Sequence, residues 1–316
     1  MYPRHILITG AAGFVGRHLI TELRRQFPGA RLTPTAQRAM PGFIAMDVTD
    51  AHAVAEVIRT AAPDVIIHLA AVAAVSVARR DPNLAWRVNL HGTLAVARAI
   101  EKYAADCTLL FVSSAEMYGL SFQAGHPLDE KALPQPANIY AATKAAADLA
   151  LGALAAEGAR IFRLRAFNHT APGQSADFVV PALARQIARI KLGRQPPVLH
   201  VGALEPRRDF LDARDVCACY AACLRHADRL ANGEILNIAS GLSRRIGDVL
   251  DMLLSMAGVR ADIETADVLL RPTDIAIASG DASRARTLLE WRPLITWETT
   301  LEDVLRDWVA RETAEN

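Results

Sequence analysis

Tyr140 and Lys144 stand four residues apart in the segment NIYAATKAAADLALGAL. In a helix this spacing places the phenol and the ammonium group on one face, where the cation favours the phenolate form. Such a pair is suited to proton transfer at a carbonyl oxygen. A core tyrosine followed by a solvated lysine gives the same pattern by chance, so its meaning depends on the rest of the chain.

A glycine-rich segment, TGAAGFVG, follows the apolar run HILI and opens an amphipathic stretch. Gly10 permits a tight turn, Gly13 lets the backbone approach a pyrophosphate, and Gly16 lets helix and strand pack closely. The anion would then lie at the helix N-terminus. The spacing is GxxGxxG and not the usual GxGxxG, and a purely structural turn would need glycine too. Between a strand and a helix, however, the segment predicts dinucleotide binding.

Ser114 ends the apolar run TLLFVSS, which reads as a buried strand. Parallel sheets present their functional groups at the carboxyl ends of strands. We therefore expect Ser114, Tyr140 and Lys144 to form a catalytic triad. Tyr140 would transfer the proton, Lys144 would lower the phenol pKa and hold the cofactor ribose, and Ser114 would hydrogen-bond the reacting carbonyl.

The end of the second predicted strand bears on the choice between NAD and NADP. A carboxylate there would hold the ribose hydroxyl of NAD, but TPTAQRAM contains none. Arg38 is positioned to bind a 2′-phosphate through two hydrogen bonds, although a solvated surface arginine would look the same. NADP(H) is therefore favoured over NAD(H). Asp47 is a candidate acceptor for the adenine amino group; the alternative, capping the helix that starts at Ala51, is served better by Asp50.

The elements that must position these groups alternate between strand and helix in the first half of the chain. Near-continuous apolar strands between amphipathic helices predict a parallel sheet that is covered on both faces. We predict an α/β fold: a Rossmann-type doubly wound sheet over residues 1–167 and a smaller C-terminal substrate lobe over residues 168–316. A strand near 235–240 should return to the main sheet. The lobe should contain a helix from Phe178 to Leu192.

Composition narrows the class of protein. The 316 residues include 35 Lys and Arg against 34 Asp and Glu, which gives a net charge of +1 without a long charged run. This balance argues against nucleic-acid and membrane surfaces as partners. The N-terminus lacks the layout of a signal peptide, and no apolar run reaches the ~18 residues of a membrane span. We therefore expect a cytoplasmic protein.

The four cysteines are Cys107, Cys217, Cys219 and Cys223, too few for a disulfide framework in a chain of this length. Three of them fall in one apolar helical stretch, and His226 would be the fourth ligand of a zinc site. Helical spacing turns Cys217 well away from the other two. Buried free thiols are therefore the preferred interpretation, and no metal site is predicted.

Four segments together resemble the extended short-chain dehydrogenase/reductase family: TGAAGFVG, HLAA (68–71), VSSAEMYG (112–119) and YAATK. The second half narrows the resemblance to the GDP-sugar branch of that family, through FNHTAPGQSADFV, VGALEPRRDFLDARDV, LNIASG and LRPTDIAIASGDASRA. The resemblance covers nearly the whole chain. It implies a GDP-sugar substrate and one of two sister activities, a 4-keto reductase or a 4,6-dehydratase.

The resemblance also implies the binding residues. For the cofactor these are Gly10, Gly13, Phe14, Val15, Gly16, Arg38, Asp47, Val48, Leu69, Ala70, Ala71, Asn89, Tyr140 and Lys144. For the substrate they are Asn168 at the sugar or diphosphate, the Val179 backbone near the nucleotide, Arg208 at the diphosphate, and Arg271 with Asp274 at the nucleotide end. Arginine suits phosphate because its fork matches two oxygens, although a surface ion pair is the alternative for each. Asp274 replaces a glutamate that is common in the family.

Glu116 bears on the choice between the two activities. Dehydratases of the branch carry a glutamate here as the base at C5, and similar reductases can also keep a carboxylate. The segments PGQ (172–174) and RDFLDARD (208–215) resemble the reductase versions, and the chain has little room for the insertion that dehydratases carry before RPTD. We therefore expect reduction of the C4 ketone of GDP-4-keto-6-deoxy-D-mannose to a GDP-6-deoxyhexose of the GDP-D-rhamnose type, with Glu116 orienting a sugar hydroxyl. Dehydratase, epimerase or another sugar-nucleotide reductase remain alternatives.

The segment after HLAA reads VAAVSVA, and Ala73 and Ala74 lie where dehydratases of the branch offer polar sugar contacts. A smaller and drier pocket wall here would suit a different hexose. A protein that binds NADP(H) and a sugar nucleotide without turnover is a further alternative, which the intact triad argues against.

The resemblance further implies a homodimer in which each subunit contributes two helices, here residues 89–103 and 138–154. The alanine-rich faces of these segments would allow close packing between subunits. Two such helices also cover the sheet within one subunit, which is the alternative interpretation.

Overall fold

The computed structural model describes residues 2–269 and 275–314. In chain order its helices and strands are β1 (His5–Thr9), α1 (Phe14–Gln26), β2 (Arg31–Ala36), β3 (Ile44–Ala45), α2 (Ala51–Ala61), β4 (Val65–His68), α3 (Val75–Arg80), α4 (Pro82–Trp86), a π-helical segment (Arg87–Gly92), α5 (Thr93–Tyr103), β5 (Thr108–Ser114), a 3₁₀ segment (Ala115–Ala124), α6 (Ile139–Ala156), β6 (Ile161–Ala166), β7 (Asn168–Thr170), α7 (Val179–Lys191), β8 (Val198–Val201), β9 (Arg207–Asp212), α8 (Ala213–Arg225), β10 (Ile235–Ile238), β11 (Ser243–Arg245), α9 (Ile246–Ala257), β12 (Asp262–Thr265), a 3₁₀ turn (Asp267–Leu269), β13 (Ile277–Ala278), α10 (Ser283–Leu289) and α11 (Trp297–Ala314).

The main sheet has seven parallel strands in the order β10-β6-β5-β4-β1-β2-β3. The chain moves outward from β1 through β2 and β3, and then restarts at β4 on the other side of β1. This reversal between β1 and β4 is the point where doubly wound sheets bind dinucleotides. The predicted α/β fold is confirmed, and the predicted return of the strand near 235–240 is β10, which pairs with β6.

Helices cover both faces of this sheet because successive strand side chains point to opposite sides. In β1, Leu7 packs on the face covered by α2, α5 and α6, whereas Ile6 and Ile8 pack on the opposite face with residues of α1, α8 and α10. In β5, Phe111 and Leu110 divide in the same way. The near-continuous apolar strands of the sequence follow from this two-sided burial.

The second lobe has its own apolar core, in which α7, α9 and α11 pack against residues of β8 and β9. Two small sheets accompany these helices: β9 lies between β11 and β13 and also pairs with β7, and β8 pairs with β12. The helix predicted from Phe178 to Leu192 is α7, which has Phe178 as its N-cap.

All four cysteines are buried free thiols, as predicted. Cys217, Cys219 and Cys223 lie on α8, which packs against α1 in the main core. Burial raises the pKa of Cys107 to about 12, so its thiol stays protonated. Residues 2–269 and 275–314 contain no group of three or more His, Cys, Asp or Glu side chains that could hold a metal ion.

Helix α6 has the length and apolar composition of a membrane span, with a mean hydropathy of 1.2. Its position in the fold explains this composition, because it lies against β5 and β6 and its inward side chains are buried in the protein. It also carries Lys144 and Asp148 inward, with side chains that are buried among protein atoms. α6 is therefore a core helix of the sheet layer.

Candidate active site

The glycine-rich turn joins β1 to α1 and leaves the first turn of that helix open to an anion. Gly13 is the N-cap of α1, and among the described residues no side chain caps the helix. The first turn also contains no acidic residue. Its backbone N–H groups and the positive end of the helix dipole are thus available to a pyrophosphate.

The glycines are required by close approaches of the backbone. Gly10 has φ +63°, and a Cβ there would lie 2.8 Å from Cα of Ala70. A Cβ on Gly16 would lie 2.4 Å from the carbonyl oxygen of Ala11. The turn therefore packs directly on residues 69–70, and its bare backbone at the helix N-terminus fits a bound dinucleotide.

Arg38 follows the end of β2, and its side chain is exposed. Asp47 is engaged within its own turn: its carboxylate accepts hydrogen bonds from the Gln37 amide at 3.0 Å and from the backbone and hydroxyl of Thr49 at 2.9 and 2.8 Å. Asp50 caps α2, as predicted, by accepting from the backbone N–H groups of residues 52 and 53. A contact between Asp47 and adenine stays a prediction.

The segment after β4 contains Leu69, Ala70 and Ala71, all predicted to contact the cofactor. The backbone N–H groups of Leu69 and Ala70 both donate to Oγ1 of Thr9 at 3.1 Å. Asn89 is buried, and its side-chain amide bonds to both backbone groups of Val72. Protein contacts thus fix this segment at both ends.

Val48, another predicted cofactor residue, lies beside the π-helical segment. A Cβ on Gly92 would come within 2.8 Å of Cγ2 of Val48, so the glycine lets the two segments meet. Phe14 and Val15 are the first two residues of α1, where their backbone N–H groups belong to the open first turn. Val48 is thus held against the π-helical segment, and Phe14 and Val15 belong to the start of α1.

Ser114 is the last residue of β5, and Tyr140 is the second residue of α6. Their side chains are close enough for Ser114 to act on the phenol of Tyr140. Burial raises the pKa of Tyr140 to about 12; the Ser114 hydrogen bond acts in the opposite direction and the negative charge of Glu116 adds to the rise. Among the described residues, the Ser114 hydrogen bond and not Lys144 thus favours the phenolate, and the predicted effect of Lys144 on the phenol stays a prediction.

Lys144 lies one turn after Tyr140 and is almost fully buried. Its Nζ donates to the carbonyl oxygen of Val112 at 2.5 Å and lies 4.3 Å from the centre of the Phe111 ring. Burial lowers the pKa of Lys144 to about 7, and the negative charge of Asp148 only partly opposes this change. The ammonium group can therefore lose its proton near neutral pH.

Glu116 lies in the 3₁₀ segment that follows β5, two residues after Ser114. Its backbone N–H donates to Oγ of Ser114 at 3.2 Å. One carboxylate oxygen accepts a long hydrogen bond of 3.4 Å from the side-chain amide of Asn138, the N-cap of α6. The structure thus brings Ser114, Glu116 and Tyr140 together at the carboxyl edge of the sheet.

Three of the predicted substrate residues, Asn168, Val179 and Arg208, lie on β7, α7 and β9. Asn168 begins β7 and is partly buried, and Val179 is the first residue of α7, with 38% of its surface exposed. Arg208 lies on β9, where Nη1 donates to the carbonyl oxygen of Ile275 at 2.6 Å. Arg271 and Asp274 lie outside the described residues, and their roles stay predictions.

Asp209, next to Arg208, holds the surrounding loops in place. Its buried carboxylate accepts from the backbone N–H and the hydroxyl of Ser240, and from the backbone N–H groups of Gly241 and Gly280. Burial raises the pKa of this carboxyl group, against the effect of these hydrogen bonds. Residue 208 is therefore presented from a fixed strand and not from a mobile loop.

The comparisons with known proteins agree with this geometry. The NAD dependent epimerase/dehydratase family matches residues 6–239, which is more than half of the chain. The chain belongs to this family. Among family members, GDP-6-deoxy-D-mannose reductase from Pseudomonas aeruginosa is 34% identical over 98% of both chains, and GDP-6-deoxy-D-talose 4-dehydrogenase from Aggregatibacter actinomycetemcomitans is 28% identical over 90% of both. A solved structure of RMD from Pseudomonas aeruginosa complexed with NADPH superposes with a TM-score of 0.85 and 32% identity, covering 98% of this chain and 99% of that chain.

Within this epimerase/dehydratase framework, several buried polar residues that support the site were missed at the sequence level. Thr9 and Thr143 read as ordinary residues of a strand and a helix, and His68 was noted only as part of HLAA. The available signal was polarity at positions where the apolar pattern demands burial: His68 ends the strand VIIH, and Asp148 interrupts the apolar side of α6. Buried polar groups need partners, and those partners are visible only in the fold.

Proposed function

We propose that the protein reduces the C4 ketone of GDP-4-keto-6-deoxy-D-mannose with NADPH and forms a GDP-6-deoxyhexose of the GDP-D-rhamnose type. The observation that carries this proposal is the close approach of Ser114 and Tyr140, with the buried Lys144 one helical turn away. A serine hydroxyl and a phenol at one point suit a reaction in which a carbonyl oxygen gains negative charge and then a proton.

The substrate assignment rests on the two relatives. Their names describe C4 epimers, 6-deoxy-D-mannose and 6-deoxy-D-talose, attached to the same GDP. Oxidation of either sugar at C4 gives the same 4-keto compound, so both names support this ketone as the substrate. The greater identity to the mannose enzyme favours that product, and the talose epimer is the second candidate.

NADPH is the proposed reductant because the exposed Arg38 follows β2 at the place where a 2′-phosphate is bound. When bound there, NADPH would supply the hydride to C4. Tyr140 donates its hydroxyl proton to the C4 oxygen and takes a proton from solvent afterwards. Ser114 stabilises the developing negative charge by hydrogen bonding, and Lys144, one helical turn from Tyr140, would hold the ribose and favour the phenolate.

Glu116 supports a second candidate, the 4,6-dehydratase, because its negative charge acts on Tyr140 and Asn138 holds its carboxylate. In a dehydratase this carboxylate would remove the proton at C5. In the proposed reductase it orients a sugar hydroxyl.

Several features follow from family membership and remain part of the proposal. Asn168, Val179, Arg208, Arg271 and Asp274 would bind the GDP-sugar, and residues 168–316 would form most of its lobe. The protein would act in the cytoplasm as a homodimer through α5 and α6. The exposed side chains of Tyr103 and Leu149 on these helices support such an interface, which sedimentation at micromolar concentration tests: a monomer alone would contradict it.

The deciding experiment follows NADPH absorbance with purified protein. The protein is offered GDP-mannose alone and then GDP-4-keto-6-deoxy-D-mannose generated in place by a separate dehydratase. The reductase consumes NADPH in proportion to the keto sugar and ignores GDP-mannose. The dehydratase instead converts GDP-mannose to a keto sugar without net change in the cofactor, because its hydride returns in each turnover. Proton NMR of the product separates the C4 epimers.

Two variants complete the test. Tyr140→Phe should lower kcat by about 10²–10⁴-fold, with NADPH binding unchanged, because it removes only the proton donor. Arg38→Ala should weaken NADPH binding and leave NADH binding nearly unchanged. A Tyr140→Phe protein of undiminished activity would overturn the mechanism, and equal effects of Arg38→Ala on both cofactors would overturn the preference for NADPH.

A further inference from the structure

A chain of buried hydrogen bonds begins at the end of β1 and crosses the sheet edge. Oγ1 of Thr9 lies 2.7 Å from Nδ1 of His68, and Nε2 of His68 lies 3.0 Å from Oγ1 of Thr93. The Thr93 hydroxyl donates to the carbonyl oxygen of Asn89 at 2.7 Å. These side chains are at most 1% exposed, so water does not compete for the bonds.

The chain continues to the catalytic helix. The amide of Asn89 donates to Oγ1 of Thr143 at 2.9 Å, and the Thr143 hydroxyl donates to the carbonyl oxygen of Tyr140 at 2.7 Å. The same amide donates to the carbonyl oxygen of Val72, and its oxygen accepts from the Val72 N–H at 2.8 Å. We call this set of side chains the hydrogen-bond circuit: Thr9, His68, Thr93, Asn89 and Thr143.

Only one tautomer of His68 satisfies every member of the circuit. The Asn89 carbonyl can only accept, so Thr93 must donate to it and must accept from Nε2–H of His68. Nδ1 then carries a lone pair and accepts from Thr9, whose two lone pairs accept from the backbone N–H groups of Leu69 and Ala70. With the proton on Nδ1, Thr9 would have to accept three hydrogen bonds.

His68 is neutral within the circuit. Burial lowers the pKa of His68 to about 3, and the positive charge of Lys144 adds to this effect. A buried polar network of this kind stabilises one arrangement strongly, because any other arrangement leaves a donor or an acceptor unsatisfied.

The circuit holds the segment Leu69–Val72 from both ends. Thr9 binds its first N–H groups and Asn89 binds both backbone groups of Val72, while Gly10 packs against Ala70 from the side. Asn89 can reach both the segment and α6 from the π-helical turn, a type of helix defect that is frequent at functional sites. The segment and Tyr140 are thus linked through a single amide and a single hydroxyl.

We infer that the hydrogen-bond circuit positions Tyr140 relative to the segment Leu69–Val72, and thereby sets the distance between the proton donor and the bound cofactor. This inference rests on the proposed function, in which the segment contacts the cofactor. The members of the circuit are positioning residues and do not touch the reacting atoms. Displacement of a reacting group by about 1 Å can lower the rate by about 10²-fold, so a small change in the circuit has a measurable effect.

The test compares Thr143→Val with Thr143→Ser. Valine keeps the size of threonine and removes the hydroxyl, whereas serine keeps the hydroxyl. We expect Thr143→Val to lower kcat by about 10–100-fold, with KM for NADPH changed by less than about three-fold. Thr143→Ser should restore kcat to within about two-fold of the unsubstituted protein. Equal kcat values for the two variants would overturn the inference.

A matched control is a histidine–threonine pair between β1 and β2, away from the catalytic helix. Nε2 of His5 lies 2.8 Å from Oγ1 of Thr33, which is a buried histidine–threonine pair outside the circuit. Thr33→Val removes the same kind of bond and should lower thermal stability while kcat stays unchanged. If Thr33→Val lowers kcat as much as Thr143→Val does, the effect reflects general loss of stability and the inference is wrong.

Two further measurements need no substrate and separate this inference from the proposed function. Amide hydrogen exchange at Val72 should be faster in Thr143→Val than in Thr143→Ser, because Asn89 loses its anchor on α6; equal exchange would overturn the link. Nitrogen NMR should show His68 neutral, with its proton on Nε2, from pH 6 to 8. A charged ring or a proton on Nδ1 would contradict the circuit even if the enzyme reduces its proposed substrate.

Discussion

The two halves of α6 are held in the fold by different kinds of interaction. The amino half, which carries Tyr140 and Lys144, is fixed by neutral hydrogen bonds from Asn89 through Thr143. The carboxyl half is fixed by charge: the fully buried Asp148 accepts from Arg165 at 2.9 Å and from Arg163 at 3.2 Å. One helix is therefore held by neutral hydrogen bonds in its amino half and by a buried ion pair in its carboxyl half. We call these two parts of α6 its neutral end and its ionic end, after the interactions that hold them.

This separation has a consequence for the chemistry. Formal charges close to Tyr140 would bias its proton transfer, and the nearby Lys144 is itself drawn toward its neutral form by burial. The ionic end can be strongly charged because it lies farther along the helix, where it packs on β6. Gly152 makes this packing possible, since a Cβ there would lie 2.6 Å from Nη1 of Arg163. The ion pairs of Asp148 therefore anchor one end of the helix, and the hydrogen bonds of Thr143 position the other.

The largest expected effect comes from breaking the ionic end. Asp148→Asn would leave Arg163 and Arg165 buried without their counter-charge, and we expect the free energy of unfolding to fall by about 3–5 kcal/mol. Guanidinium chloride denaturation measures this change. The decrease in kcat of the folded variant should be smaller than that of Thr143→Val, because the neutral end remains intact.

The exposed pair Glu56 and Arg59 is the control for this prediction. Its closest atoms are 2.7 Å apart, nearer than those of the buried pair, but both side chains are more than half exposed. Glu56→Gln should leave the denaturation midpoint unchanged, since exposed pairs contribute little. If the two substitutions lower the free energy of unfolding equally, burial is not the reason why Asp148 stabilises the fold.

The sequence was sufficient to predict the elements whose signal is local. The apolar runs ending at Thr9 and Ser114 predicted parallel strands of a doubly wound sheet, and the glycines predicted the tight turn at Gly10 and a close approach of backbone at Gly16. Spacing was enough to place Tyr140 and Lys144 on one helical turn. These features depend on neighbours within a few residues.

The support of the site could not be predicted in this way, because its partners are distant in sequence. Thr9 meets His68 across 59 positions, and Asn89 meets Thr143 across 54. The expected lowering of the Tyr140 pKa by Lys144 assumed that a cation four residues away acts on the phenol. In the fold, desolvation dominates both groups, and burial of this degree cannot be estimated from spacing alone.

A smaller effect should appear in the pH dependence of stability. The pKa of Lys144 is lowered to about 7 in the folded protein and is near 10.5 when unfolded, so between these values the unfolded chain binds more protons. Folding stability due to this residue therefore rises with pH through this window. Relative to Lys144→Met, the unsubstituted protein should gain at most about 1.4 kcal/mol per pH unit from pH 7 to 10. Denaturation curves at pH 7, 8 and 9 measure the difference, and a constant difference would show that Lys144 keeps an ordinary pKa.

The smallest expected effect concerns the start of the neutral end, where Asn138 has two roles. Its side-chain oxygen accepts from the Ala141 N–H and caps α6, while its amide nitrogen bonds to Glu116. Asn138→Ala removes both roles and should cost about 1 kcal/mol of stability. Asn138→Ser keeps a capping oxygen without placing a second negative charge beside Glu116, so its stability should stay within a few tenths of a kcal/mol.

Activity then separates the two roles of Asn138. Because the bond to Glu116 is long, at 3.4 Å, its loss should lower kcat/KM by only about two- to five-fold, and by the same factor in Asn138→Ala and Asn138→Ser. A larger loss in Asn138→Ala alone would mean that the cap, and not the orientation of Glu116, is what the site requires. In that case even the first turn of α6 would affect catalysis by setting the position of the helix. The two ends of α6 would then differ in how they are anchored, and not in which side chains they present to the site.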